Sequence, residues 1–209
     1  MRRPVAGVWD VPSGGVLPAL AVTAAFFFLG GLAGCLLASQ VGGGGSDSLT
    51  LYLKGFLSAA QAGGVSGPAL LPLVWETARW PVLALLLGFT ALGILGLPLL
   101  FGVRGFLLAF SIASFVRMFG GAGGLLAFLV FGVSGVLAVP AFFVLGVQGL
   151  VAARSLAGRF LGEGRRNSPY GRAYFLRCGV CAGVLCVCVL LEYLAVPALV
   201  AGAAGALLS

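Results

Sequence analysis

VLPALAVTAAFFFLGGLAGCLLASQV, residues 16–41, runs for 26 positions without a charged side chain. As a helix it would cover about 39 Å, more than the roughly 30 Å hydrocarbon core of a bilayer. A second stretch, WPVLALLLGFTALGILGLPLLFGV at 80–103, is likewise apolar on every face. Strands of an outer-membrane barrel would instead alternate apolar and polar residues in short segments. The rest of the chain agrees: of 209 residues, 61% are hydrophobic and only 8% are charged. Water-soluble domains carry about a quarter charged residues. The 35 glycines follow no collagen-like period and suit close packing between membrane helices. The expected fold class is therefore all-α, a polytopic integral membrane helical bundle.

Five crossings are expected, at 16–41, 80–103, 105–119, 124–153 and 173–191, all within a single membrane domain, 16–209, behind a cytoplasmic N-terminus, 1–15. Leu32-Ala33-Gly34-Cys35 resembles a lipoprotein cleavage box, but the run around it is longer than a signal peptide's apolar region and reads as an uncleaved anchor. An outer loop at 42–79 begins with the glycine linker Gly42–Gly45. Leu49, Leu51, Leu53, Phe56 and Leu57 then give one apolar side to a short helix. That helix would lie on the membrane surface or serve as a docking surface for a partner. Trp75 and Trp80, beside Glu76 and Arg79, read as an interfacial belt. Pro81 falls in the first turn of the second span, Arg104 in a tight turn after it, and Pro140 near the middle of the fourth.

Charge placement orients these spans. Twelve Lys and Arg stand against five Asp and Glu, and six arginines, from Arg154 to Arg177, cluster around the loop 154–172. With the N-terminus inside, Arg2, Arg3, Arg104 and those six are cytoplasmic, while Lys54, Arg79 and Arg117 are outside. A re-entrant third segment would carry the six-arginine loop outside, against the positive-inside rule. The cluster has no interleaved aromatics, so no nucleic-acid partner is expected.

Catalytic chemistry is missing. There is no histidine, no phosphate-cradling glycine loop and no pair of acids close in sequence, so neither an enzyme nor a bound cofactor is expected. Cys178 and Cys181 have the C-x-x-C spacing but lack the further ligands that zinc needs, so no metal is expected and the five cysteines read as packing residues. Among the acids only Glu192 interrupts an apolar run. An ionisable group there is a functional candidate, or an interfacial acid at a helix end, since it lies about 28 Å along the fifth helix. It is expected to pair with Arg79 or Arg117, with Pro197 turning the remaining residues along the membrane surface. A faint echo between 96–105 and 138–149 would be a parallel repeat on this topology.

The Gly96-Leu97-Pro98 turn leading to Arg104-Gly105, the long Pro140 helix and, above all, Leu191-Glu192-Tyr193-Leu194-Ala195-Val196-Pro197-Ala198-Leu199 resemble the stage II sporulation protein M family. The resemblance covers most of the chain from Leu49 onward; the cysteine-rich fifth helix departs from it. It implies a mother-cell membrane protein of endospore formation. Such a protein acts in engulfment as a scaffold for two peptidoglycan-degrading partners, stage II sporulation proteins D and P, and is not itself the hydrolase. The resemblance makes Glu192, Tyr193, Pro197, Gly96 and Pro98 candidate structural or docking residues, and the expected topology adds Arg79 and Arg117. A transporter or permease subunit is the alternative. Apart from Thr90, Ser111, Ser114, Ser134 and Gln148, the expected spans are poor in mid-membrane polar groups, which favours the scaffold.

Overall fold

A computed structural model describes residues 13–40, 70–128, 132–160 and 171–208. Those residues form five helices: α1 (Ser13–Gln40), α2 (Leu70–Gly88), α3 (Gly93–Ala127), α4 (Val133–Phe160) and α5 (Arg172–Leu208). No strand occurs among the described residues. Four helices contain stretches long and apolar enough to cross a bilayer, at Gly15–Gln40, Gly93–Arg117, Ser134–Gly158 and Arg172–Leu194. The chain is thus a helical membrane protein. The expected N-terminal segment, glycine linker and surface helix of 42–69 lie outside the described residues, as do Arg165 and Arg166 of the basic loop.

The helices are cut differently from the sequence reading. Instead of a span at 80–103 and a short one at 105–119, helix α2 ends at Gly88 and α3 starts at Gly93. The turn between them is closed by Thr90 N–H to the Leu87 carbonyl at 3.1 Å and Gly93 N–H to the Thr90 carbonyl at 3.1 Å. The expected turn at Arg104 is absent because nothing there interrupts the i to i−4 ladder. Gly96, Leu97 and Pro98 likewise form no turn; they belong to the start of α3. A side chain at Gly96 would run into Leu87, so that glycine lets the hairpin close. The third segment thereby gains a 25-residue apolar stretch, and no thinned bilayer is needed to accommodate it.

Other boundaries move for similar local reasons. Pro81 sits inside α2, not in its first turn, since the helix begins at Leu70. The expected gap after residue 119 is a kink within α3 at Gly120, where φ is 59° and ψ is −134°. Residues up to Ala127 finish α3, so α4 begins at Val133 and carries Pro140 in its N-terminal third. Helix α5 continues through Glu192 and Pro197 to Leu208, so Pro197 does not turn the chain along the surface.

Helix directions follow from the contacts. Gly30 faces Gly102, Gly34 faces Phe106 and Ala38 faces Arg117, so α1 and α3 run parallel. Phe101 meets Gly146 and Gly93 meets Ala153, so α4 runs antiparallel to both. Segments 96–105 and 138–149, the two echo copies, thus pack antiparallel, not as a parallel repeat. Phe89 against Tyr174 at 6.1 Å places the α2–α3 turn beside the start of α5. That end, which also carries Arg154 and Arg172, is termed here the basic end. Five alternating helices result, four of which carry the long apolar stretches given above, one fewer than the five crossings expected from sequence.

Helix α4 is central. Half of its membrane-crossing stretch is buried, against 11% for α1 and α3 and 17% for α5. Its Phe142 and Phe143 hold Phe101 of α3 at ring distances of 4.3 and 4.8 Å, and Phe143 meets Phe27 of α1 at 5.4 Å. On its other face Ala141 and Leu145 pack with Cys181 of α5. The closest helix contact is α1 on α3, where a side chain added at Gly30 or Gly105 would collide with the opposing backbone. Such contact supplies the dispersion energy that holds helices together in lipid, where apolar burial alone gives little.

Candidate functional site: a charged cavity in the bundle

Helices α2, α3, α4 and α5 enclose a cavity of about 270 Å³ lined by Glu76, Arg79, Trp80, Arg104 and Glu192, with Thr77, Ser111 and Ser134 among the smaller polar groups. Each helix contributes one face. On α2, Glu76, Arg79 and Trp80 recur at helical spacing; Arg104, Leu108 and Ser111 do so on α3, and Leu185, Cys188 and Glu192 on α5. Ser134, in the first turn of α4, lies at the end opposite the basic one. Arg104 is near the middle of its apolar stretch, roughly 17 Å from Gly93.

Trp80 organises the positive side. The Arg79 and Arg104 guanidinium carbons stand 5.5 and 5.4 Å from its ring centroid, within the range of cation–π attraction. Its indole N–H is buried and finds no hydrogen-bond partner among the described residues. Arg79 also meets Glu76 at 3.5 Å, a largely exposed pair one turn apart on α2. On the negative side, the Glu192 carboxylate has the Thr77 hydroxyl within hydrogen-bonding reach and shares the cavity with Glu76 and Arg104. Pro81 adds one more acceptor, because a proline inside a helix leaves the carbonyl four residues earlier, that of Thr77, without its usual donor.

The predicted residues therefore separate. Glu192 is in the cavity, as is Arg79, but the expected ion pair between them does not form within 4.0 Å; Arg79 is held by Glu76 instead. Arg117 donates to the Ala38 carbonyl at the end of α1, so it fixes α3 to α1 and not to Glu192. Tyr193 is half-buried beside Glu192. Gly96 and Pro98 lie near the basic end, remote from the cavity, and Pro197 is placed only as part of α5. Sequence reading missed Arg104, Glu76 and Trp80. Arg104 was assigned to a loop because a lone arginine between two apolar runs reads as a boundary; its spacing to Ser111, two turns on, was the available signal.

All five cysteines are unbridged. No cluster able to hold a metal ion occurs among the described residues.

These features define a helical membrane protein whose bundle encloses a charged, nearly neutral cavity. The chain matches the family model for stage II sporulation protein M over residues 23–208, and it belongs to that family. No curated protein and no solved structure matches it.

Proposed function

We propose that this protein is a non-enzymatic membrane scaffold of endospore formation, placed in the mother-cell membrane. There it would recruit peptidoglycan-degrading partners, stage II sporulation proteins D and P, during engulfment. The family match over residues 23–208 carries this reading. Two helix-end features support it. Helix α5 has 37 residues, about 55 Å of helix, which exceeds the roughly 30 Å bilayer core and leaves its C-terminal part to extend beyond it. Trp75 is 71% exposed near the same end of the bundle and offers an aromatic contact. Deleting the gene in a spore-forming host should stall engulfment and disperse the two partners from the septal membrane, while the purified protein leaves peptidoglycan uncut. Normal engulfment in the deletion strain would refute the reading.

A transporter or permease subunit is the second reading, and the charged cavity favours it. The spans are not poor in mid-membrane charge once Arg104 is placed inside α3, so the argument that set transport aside loses its main support. Loss of a solute flux in the deletion strain, with engulfment intact, would select it.

A further inference from the structure

A second, larger void lies beside the charged cavity. It is an apolar groove of about 640 Å³ between α1, α3 and the start of α4. The two share Phe27, Leu108, Gly135 and Val139 as a common wall. The groove runs from Phe128 and Gly132, at the end opposite the basic one, inward to Gly105. Phe28, Leu32, Phe128 and Val136 along it are each more than 60% exposed, so it faces the acyl layer of a membrane. A polar chamber set beside an apolar channel, with one wall between them, has the form of an amphiphile.

The charges narrow the choice of headgroup. Glu76 and Arg79 already neutralise one another. That leaves one cation, Arg104, and one anion, Glu192, facing across the cavity, with no carboxylate within 4.0 Å of Arg104 among the described residues. Beside Arg104 stands the Trp80 ring, whose indole N–H is itself buried out of reach of the cavity. On the Glu192 side the carboxylate, approached by the Thr77 hydroxyl, keeps lone pairs free to accept from a further donor.

We propose that the cavity and groove together bind one membrane phospholipid with a zwitterionic phosphate–ammonium headgroup. The phosphate oxygens accept from the Arg104 guanidinium, the primary ammonium donates to Glu192, and one acyl chain descends the groove past Gly135. A purely anionic headgroup would satisfy Arg104 but leave Glu192 facing like charge. A quaternary ammonium would bring the charge but no N–H to donate.

The test is native mass spectrometry of the full chain in mild detergent, titrated with phosphatidylethanolamine, phosphatidylcholine and phosphatidylglycerol of identical acyl chains. One phosphatidylethanolamine should bind about tenfold more tightly than either competitor, the factor expected of one charge-assisted hydrogen bond. Soluble phosphoethanolamine, lacking the chain, should compete poorly. Glu192→Gln should erase the preference over phosphatidylglycerol, and Arg104→Gln should weaken all three lipids. Gly135→Leu, whose new side chain starts in open space, should fill the common wall and weaken all three while the melting temperature holds. Equal binding of the three lipids by the unaltered protein would overturn the proposal even if a cavity variant fails to fold. So would an unchanged headgroup preference in folded Glu192→Gln, or competition by soluble phosphoethanolamine as strong as by the lipid.

Discussion

Glycine-to-leucine substitution at two positions should have effects of opposite sign. At Gly105 a Cβ would meet the carbonyl oxygen of Phe27, and that residue's carbonyl carbon and Cα lie within 3.2 Å as well. These are backbone atoms of α1, so no rotamer change relieves the collision and the two helices must separate. Overpacking costs about 1–3 kcal/mol when side chains can adjust, so a clash with backbone belongs at or above the top of that range. At Gly183 of α5 a Cβ meets nothing within 4 Å. There leucine only replaces a poor helix former, a gain of up to about 0.8 kcal/mol. Thermal unfolding in detergent, followed by size-exclusion chromatography after heating, reads both. With roughly 2–4 °C per kcal/mol for a chain of this size, Gly105→Leu should fall by about 6 °C or more and Gly183→Leu should rise by up to about 3 °C. Equal shifts in the two variants would refute the parallel α1–α3 contact as the tight interface of the bundle.

Three further outcomes follow from the charged cavity, the kink and the charge distribution. In delipidated protein, Arg104→Leu and Glu192→Leu should be coupled across the cavity, the double variant being about 0.5–3 kcal/mol more stable than the two single effects add up to; simple additivity would show that the two do not interact. Gly120→Ala should destabilise by about 1–3 kcal/mol although the site is spatially open, because its backbone lies where glycine alone is at ease, whereas Gly121→Ala, equally open and helical, should be neutral or better. In a background without native cysteines, an impermeant thiol reagent applied to intact cells should label Ser46→Cys and not Ser168→Cys; the reverse pattern would invert the proposed orientation. Moving Arg104 into a span reduces the inner basic residues from nine to eight, still against Lys54, Arg79 and Arg117, so the basis for that orientation survives.

The class of fold was legible because apolar runs and scarce charge admit few alternatives in a bilayer. Helix ends were not, since the residues that usually mark them had other employment. Gly102 and Gly105 looked like a turn and are contact points for α1; Gly88 and Gly93, which do flank the turn, sit in sequence no more polar than their surroundings. Prolines misled in the same manner: Pro81 and Pro197 lie within helices and end neither. The cavity was half legible. Glu192 stood out as an acid in an apolar run, yet its surroundings come from helices 50 or more positions away, and no local pattern reports which faces meet.

The parallel pairing of α1 with α3 also bears on biogenesis. The partner of Gly30 is Gly102, 72 residues downstream, and α4, the other helix that covers α1, comes later still. At a synthesis rate of about 5–20 residues per second, the first helix therefore waits about 4–14 s before its mate leaves the ribosome. During that interval its glycine seam is bare to lipid or to the insertion machinery. Ribosome stalling after α2 would yield an anchored but unassembled fragment, which quality-control proteases should recognise by that uncovered seam.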